Sequence, residues 1–202
     1  MKKTLVAIIA LVGLVFASCS SSVDTEKKTE AETTNIVDNG ADTPEETPAV
    51  EQHRFLSADL TFFCLYGPVK KVEEDGLVCL EFDKNGELTK DYGTPASERY
   101  KRDGQGRIVE MDGYENHVVY EWDEAHPIGS KAAAEGMTLL ESYTYDERGF
   151  VVKIKHTDDG EESVETFTYS DLDSHGNWTK RTSEGYGYTA GTTTRVIEYY
   201  EQ

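Results

Sequence analysis

The side chains with chemistry to offer are three cysteines, five histidines and an excess of carboxylates, 39 Asp and Glu against 20 Lys and Arg. The histidines His53, His117, His126, His156 and His175 show no His-x-x-x-His spacing that would put two imidazoles on one metal. They read as scattered surface residues. Asp171-Leu172-Asp173-Ser174-His175-Gly176 opens like a calcium loop, but the twelfth position, where such loops carry a bidentate Glu, is Thr182. A hairpin turn accounts for the segment better, and neither calcium nor any other cofactor is expected. There is no Gly-x-Ser-x-Gly elbow and no glycine loop to cradle phosphate. Carboxylate pairs fit for glycoside hydrolysis arise by chance in so acidic a chain. No catalytic residue is nominated, and a binding or scaffolding role is expected ahead of an enzyme acting on envelope or dietary glycans.

Cys19 stands apart. Met1-Lys2-Lys3 precedes an apolar and small-residue run from Leu5 to Ala17, a charged head and short apolar core of the kind that directs export. The run is shorter than the ~18 residues a membrane-spanning helix needs. It ends Phe16-Ala17-Ser18-Cys19, which resembles the lipobox of bacterial lipoproteins, with Phe16 where the family more often has Leu. The resemblance implies cleavage after a signal peptide over 1–18 and a diacylglycerol, with palmitate-type chains, on Cys19. Ser20 in place of Asp after the cysteine implies, by the same analogy, the outer membrane; periplasmic and surface-exposed faces remain equal alternatives. Cys64 and Cys79 permit one disulfide in an exported domain, or a pair of buried thiols.

Residues 19–54 read as the lipidated cysteine and an acidic tether. Thr, Glu, Ser, Asp and Pro dominate, with Pro44 and Pro48 interrupting any helix, and such a segment cannot bury enough apolar surface to offset its ordering entropy. Flexible-chain statistics give it a reach of roughly 30 Å. Loss of Lys2 and Lys3 with the signal takes the net charge from −19 to −21, which argues against nucleic acid as a partner. The expected partners are the membrane, through the lipid, and a protein or glycan of unspecified identity.

From 55 to 202 the chain is self-similar. Phe82-Asp83-Lys84-Asn85-Gly86-Glu87-Leu88, Arg102-Asp103-Gly104-Gln105-Gly106-Arg107-Ile108, Tyr145-Asp146-Glu147-Arg148-Gly149-Phe150-Val151 and Leu172-Asp173-Ser174-His175-Gly176-Asn177-Trp178 share an Asp, a Gly three places on and an apolar residue five places on. Trp122-Asp123-Glu124-Ala125-His126 is a copy without the glycine. Asp at the first position of a type I turn accepts backbone hydrogen bonds, and Gly at the fourth closes a three-residue hairpin loop in the left-handed conformation. The register then sets Phe82 opposite Leu88, Arg102 opposite Ile108, Tyr145 opposite Val151 and Leu172 opposite Trp178. The Asp positions step by 20, 20, 23 and 27 residues, one hairpin per repeat.

Between the turns the apolar residues alternate, as in Val118, Tyr120 and Trp122, or Phe167 and Tyr169. The fold expected is an all-β antiparallel meander, either a twisted open sheet or one partly rolled or sandwich-like. Phe150, Val152 and Ile154 place apolar residues on the face opposite Val151, so both faces there are expected to be covered. Pro127 to Met137, with Lys131-Ala132-Ala133-Ala134-Glu135, reads as an insertion with one helical turn, and Tyr186 to Thr194 as a loop.

The aromatic-Asp-x-x-Gly-x-apolar pattern, seen best in Tyr143-Thr144-Tyr145-Asp146-Glu147-Arg148-Gly149 and in Asp103 to Glu110, resembles the Rhs or YD repeat. With the lipobox it is similar to small YD-repeat lipoproteins of Bacteroidetes. Large members of that family build a closed shell around a toxin. Five copies enclose nothing, so the resemblance implies hairpin architecture without catalytic residues, and a remnant or accessory of such a shell as a further alternative. Trp122, Trp178, Tyr186 and Tyr188, near turns or in a Gly-rich stretch, are candidates for stacking against a sugar or peptide, with core packing the competing role for the tryptophans.

Overall fold

The computed structural model describes residues 57–114, 116–134, 136–186 and 188–201. The segments expected to form a signal peptide and a tether, and Cys19 with them, lie outside the described residues. The Asp turns form as their chemistry dictates. One carboxylate oxygen of Asp83 accepts the backbone N–H groups of Asn85 and Glu87 at 2.8 and 2.9 Å. Asp103, Asp146 and Asp173 bind the equivalent pairs, Gln105 and Arg107, Arg148 and Phe150, His175 and Asn177. Gly86, Gly106, Gly149 and Gly176 sit at φ values of 79°, 79°, 83° and 85°. The four flanking pairs lie opposite one another in the expected register. Asp123 manages without a glycine in a turn one residue shorter, holding Ala125 and His126 N–H at 2.6 and 2.7 Å and pairing Trp122 with Pro127.

These turns organise a short helix α1 (Ala58–Phe62) and strands β1 (Val69–Glu74), β2 (Leu77–Phe82), β3 (Leu88–Asp91) and β4 (Thr94–Pro95). One helical turn α2 (Ala96–Arg99) leads to β5 (Tyr100–Arg102), β6 (Ile108–Asp112), β7 (His117–Trp122), β8 (Pro127–Ala134), β9 (Met137–Tyr145), β10 (Val151–Asp158), β11 (Glu161–Leu172), β12 (Trp178–Gly185) and β13 (Tyr188–Tyr199). All thirteen strands belong to one antiparallel sheet, in the order β4-β3-β2-β1-β13-β12-β11-β10-β9-β8-β7-β6-β5. The sheet is open, since among the described residues no ladder joins β4 to β5. Twelve spacings of roughly 4.8 Å would hold the edges of a flat ribbon some tens of ångströms apart. Yet Tyr100 of β5 donates its hydroxyl to Asp91 of β3 at 2.8 Å, and Arg99 pairs with the same carboxylate at 2.5 Å. The two edge regions therefore approach each other across α2.

One face of the sheet is buried, and residues 57–66 cover it. Phe62 meets Tyr120 edge-on at 4.8 Å, Phe63 meets Phe82 at 6.0 Å and Tyr66 meets Phe150 at 5.8 Å. Ser57 caps α1 by accepting from Leu60 N–H at 3.0 Å and donates to the Gly86 carbonyl at 2.6 Å. Asp59 accepts from Leu88 N–H and binds Arg102, and the Asn177 amide clasps both backbone groups of Tyr66 at 2.8 Å. Successive repeats are stitched by side chain to backbone bonds: Trp122 Nε1 to the Ile108 carbonyl, Tyr145 hydroxyl to Pro127 and Tyr169 hydroxyl to Val151, at 2.7, 2.5 and 2.5 Å.

Four expectations are corrected. The Lys131–Ala134 stretch lies in β8, because ladders to β7 and β9 on both sides outweigh its helical propensity. The stretch read as a loop from Tyr186 supplies most of β13, which pairs with β12 and β1. Val151 and Ile154 bury together, since a register shift between Val151 and Lys153 breaks the alternation. His156 is buried at 2% exposure and is no surface residue. Of the two alternatives open for the cysteines, the pair of buried thiols is the one that forms: Cys64 and Cys79 are free and buried. Cys79 Sγ donates to the Val72 carbonyl at 3.3 Å, while Cys64 lies in the covering segment at a φ of 52°. Burial pushes both thiols up to about 12.

Candidate functional site

The buried face changes character along the strands. At the Asp-turn end, beneath residues 57–66, it is apolar. Toward the opposite end it carries charge. Glu141 of β9 stands beside Ser130 of β8 and opposite His156 of β10, in cross-strand register. Glu165 of β11 pairs with Ile154, one step diagonally from His156. Arg181 of β12 pairs with Thr193 of β13, and Arg195 of β13 pairs with Glu74 of β1. All of these are buried.

At the centre, His156 Nδ1 lies 3.1 Å from Glu141 Oε1, and its Nε2 lies 3.9 Å from Glu165 Oε2. Tyr186, at a φ of 52° between β12 and β13, packs its ring over the imidazole at 4.0 Å. Burial alone would lower the basicity of His156; Glu141 and Glu165 together override it and raise the pKa to about 9. The imidazole is therefore a cation at neutral pH. On the other side Arg195 Nη2 reaches Glu74 Oε1 at 2.8 Å, and its guanidinium lies over Trp178 at 3.6 Å. Arg181 stacks on Trp178 and Phe167 at 5.1 and 5.0 Å, its pKa lowered by burial. Three carboxylates thus face three cations. Removing each ion from water costs several kcal/mol, and opposite charge with hydrogen bonds offsets that cost.

The cluster contains a hydroxyl, an imidazole and a carboxylate, but not the wiring of a nucleophilic triad. Ser130 donates its hydroxyl to Glu141 Oε2 at 2.9 Å, and Tyr143 donates to the same oxygen at 2.9 Å. In a nucleophilic triad the hydroxyl bonds to the imidazole, which withdraws its proton. Here the carboxylate collects both hydroxyls, and the arrangement orders strands β8, β9, β10 and β11.

No protein-family model matches the chain, and no curated protein is detectably similar to it.

The residues singled out from the sequence fall in several places. Trp178 is 1% exposed and part of the core. Trp122 is half-buried against Phe62 at 6.0 Å, with Arg107 over its ring. Both therefore take the packing role. Tyr186 roofs His156, and Tyr188 opens β13, with its side chain outside the described residues. The Asp173 carboxylate is taken up by His175 N–H, Asn177 N–H and the Tyr199 hydroxyl. Among the described residues no group of three or more His, Cys, Asp or Glu side chains is arranged around a common metal position.

Sequence reasoning passed over the ionic row, although a signal existed. Glu141 is in phase with Tyr143 and Tyr145, Glu165 with Phe167 and Tyr169, His156 with Ile154, and Arg195 with Ile197 and Tyr199. A charged residue in step with a strand's apolar positions faces inward.

Proposed function

We propose that the chain is a lipid-anchored protein of the outer membrane whose β domain binds or scaffolds a partner without catalysing a reaction. The observation that carries this reading is the inward commitment of the reactive side chains. His156, Glu141, Glu165 and Ser130 are all buried, and each is engaged with another member of the group or with a neighbouring strand. The Asp91 carboxyl, whose pKa burial raises, is likewise held by Tyr100 and Arg99. A glycan hydrolase would instead present converging carboxylates to solvent in a cleft. The lipobox resemblance at Cys19 supplies the anchor, and the turn-and-stitch repeats supply a stiff platform.

Two measurements test the proposal. Full-length protein should take up labelled palmitate and fractionate with outer membranes, whereas Cys19→Ser should do neither. The detergent-solubilised protein should capture a partner from panels of envelope proteins and glycans while leaving the glycans uncleaved. Cleavage of any glycan, or capture of nothing from either panel, overturns the binding role.

A further inference from the structure

Most lysines on the sheet are matched by a carboxylate. Lys90 lies opposite Glu81 in the ladder and pairs with it at 3.1 Å, and Lys101 lies opposite Glu110 and pairs with it at 2.5 Å. Lys70 and Lys71 share Glu198, and Lys155 reaches Glu162 at 2.6 Å. Lys131, Lys153 and Lys180 are set differently. Lys131 stands between Val119 and Leu140, Lys153 between Thr144 and Thr166, and Lys180 between Ser170 and Thr194. All three are exposed, and none has an ion pair among the described residues. In a chain with 39 Asp and Glu against 20 Lys and Arg, the ladder has placed hydroxyls and aliphatics where a carboxylate would pair across strands.

The three lysines share one surface. Each is next in sequence to a buried residue, Ser130, Ile154 or Arg181, so the strand alternation turns it to the outer face. Lys153 and Lys180 also hold the same place in their repeats, two residues past Val151 and Trp178, which follow the Asp turns. Their strands β8, β10 and β12 alternate in the sheet, so neighbouring lysines are at least roughly 10 Å apart, two ladder spacings. The strands between, β9 and β11, present exposed Ser142, Thr144, Thr166 and Thr168. On β8 to β12 the carboxylates in step with these lysines are Glu162, committed to Lys155, and Glu184.

We propose that the outer face of β8 to β12 is a docking surface for a linear acidic polysaccharide; the proposal names the partner class of the binding role proposed above and rests on it. The charge complementarity is local. The chain as a whole carries −19, but charges beyond roughly 8 Å are screened at physiological salt, so a bound chain responds mainly to the lysines it touches. The outer face of a sheet has no walls to enclose a small anion. Three cations this far apart are met together only by a polymer that carries negative charge at intervals. Flexible lysines suit spaced carboxylates as point charges, and the hydroxyls between them donate to and accept from sugar hydroxyls. Nucleic acid is the poorer fit, because single strands bind by stacking on aromatic rings. Here Tyr143, Tyr145, Phe167, Tyr169 and Trp178 all pack with the core on the other face.

The test uses detergent-solubilised full-length protein titrated with polygalacturonate, with mannan as the neutral control and polyglutamate and DNA as the polyanions without sugar carboxylates. Polygalacturonate should bind, more tightly than any of the three controls, and more weakly as salt rises. Lys131→Gln, Lys153→Gln and Lys180→Gln should each weaken it roughly two- to fivefold. The triple variant should weaken it more than any single one and flatten the salt dependence, with unchanged circular dichroism because all three side chains are exposed. Lys90→Gln and Lys101→Gln, whose charges are already paired, should bind as the wild type does. No binding of polygalacturonate, equal binding of mannan, polyglutamate or DNA, or wild-type affinity in the triple variant overturns the surface. Capture of an envelope protein by a chain that binds no polygalacturonate removes this surface while leaving the binding role standing; cleavage of a bound glycan removes the role itself.

Discussion

Tyr100, on one edge strand of the sheet, donates its hydroxyl to Asp91, the last residue of the strand next to the opposite edge, at 2.8 Å. The ladder leaves the sheet open, and this bond spans the opening. Tyr100→Phe keeps the ring but strips a fully buried carboxylate of a donor. Chemical denaturation should report a loss of about 1–3 kcal/mol. Wild-type stability in the variant would show that the edges hold without the bridge.

His156 should behave as a structural cation. His156→Ala leaves Glu141 and Glu165 buried without the charge that compensates them, and roughly 3–5 kcal/mol of stability should go with it. The pH dependence has a definite sign. The folded pKa, raised to about 9, exceeds the ordinary value of 6.5, so the contribution is full below the ordinary value and is lost as pH rises through about 9. Melting temperatures followed from pH 7 to 10 should fall in the wild type and fall less steeply in His156→Gln.

The glycine turns predict a contrast. Gly86 and Gly106 share a φ of 79°, but a Cβ at Gly86 would meet Leu60 Cδ1 at 2.7 Å, whereas one at Gly106 meets nothing within 4 Å. Gly106→Ala should cost only the left-handed backbone penalty, about 1–2 kcal/mol. Gly86→Ala should cost more, since the buried Leu60 side chain must give way as well. Equal losses in urea titrations would mean that Leu60 gives way freely.

The stitches between repeats can be cut singly. Tyr169→Phe removes the hydroxyl that meets the Val151 carbonyl, and Tyr145→Phe the one that meets Pro127. Each should lower stability by about 1 kcal/mol. The double variant should depart from additivity, because Tyr145 lies directly opposite Val151, whose carbonyl accepts from Tyr169. A loss equal to the sum would mean that the two stitches act independently.

The turns were legible because their chemistry is local. Asp83 and Gly86 need only the five residues around them, and the flanking pair Phe82 and Leu88 follows from the loop length. The strand β8 was obscured by the same locality: alanines favour a helix in isolation, and only the neighbours Val118 and Leu139, on separate strands, show why Ala132 is extended. Residues 57–66 were not recognisable as the cover of the buried face, since nothing in Leu60 or Phe63 names the distant strands they meet. The ionic row was half legible, its inward phase written in each strand but its partners up to 121 residues apart, as for Glu74 and Arg195.

The pairing of β1 with β13 bears on how the domain is made. A ribosome or export channel releases the first strand long before the last, so β1 must wait with one side unsatisfied until nearly the whole chain has emerged. Non-local pairings of this kind slow folding. The repeats in between can zip up in order, each on the one before, but the final seam is sewn only at completion, and a truncated product would expose a ready edge to any passing strand.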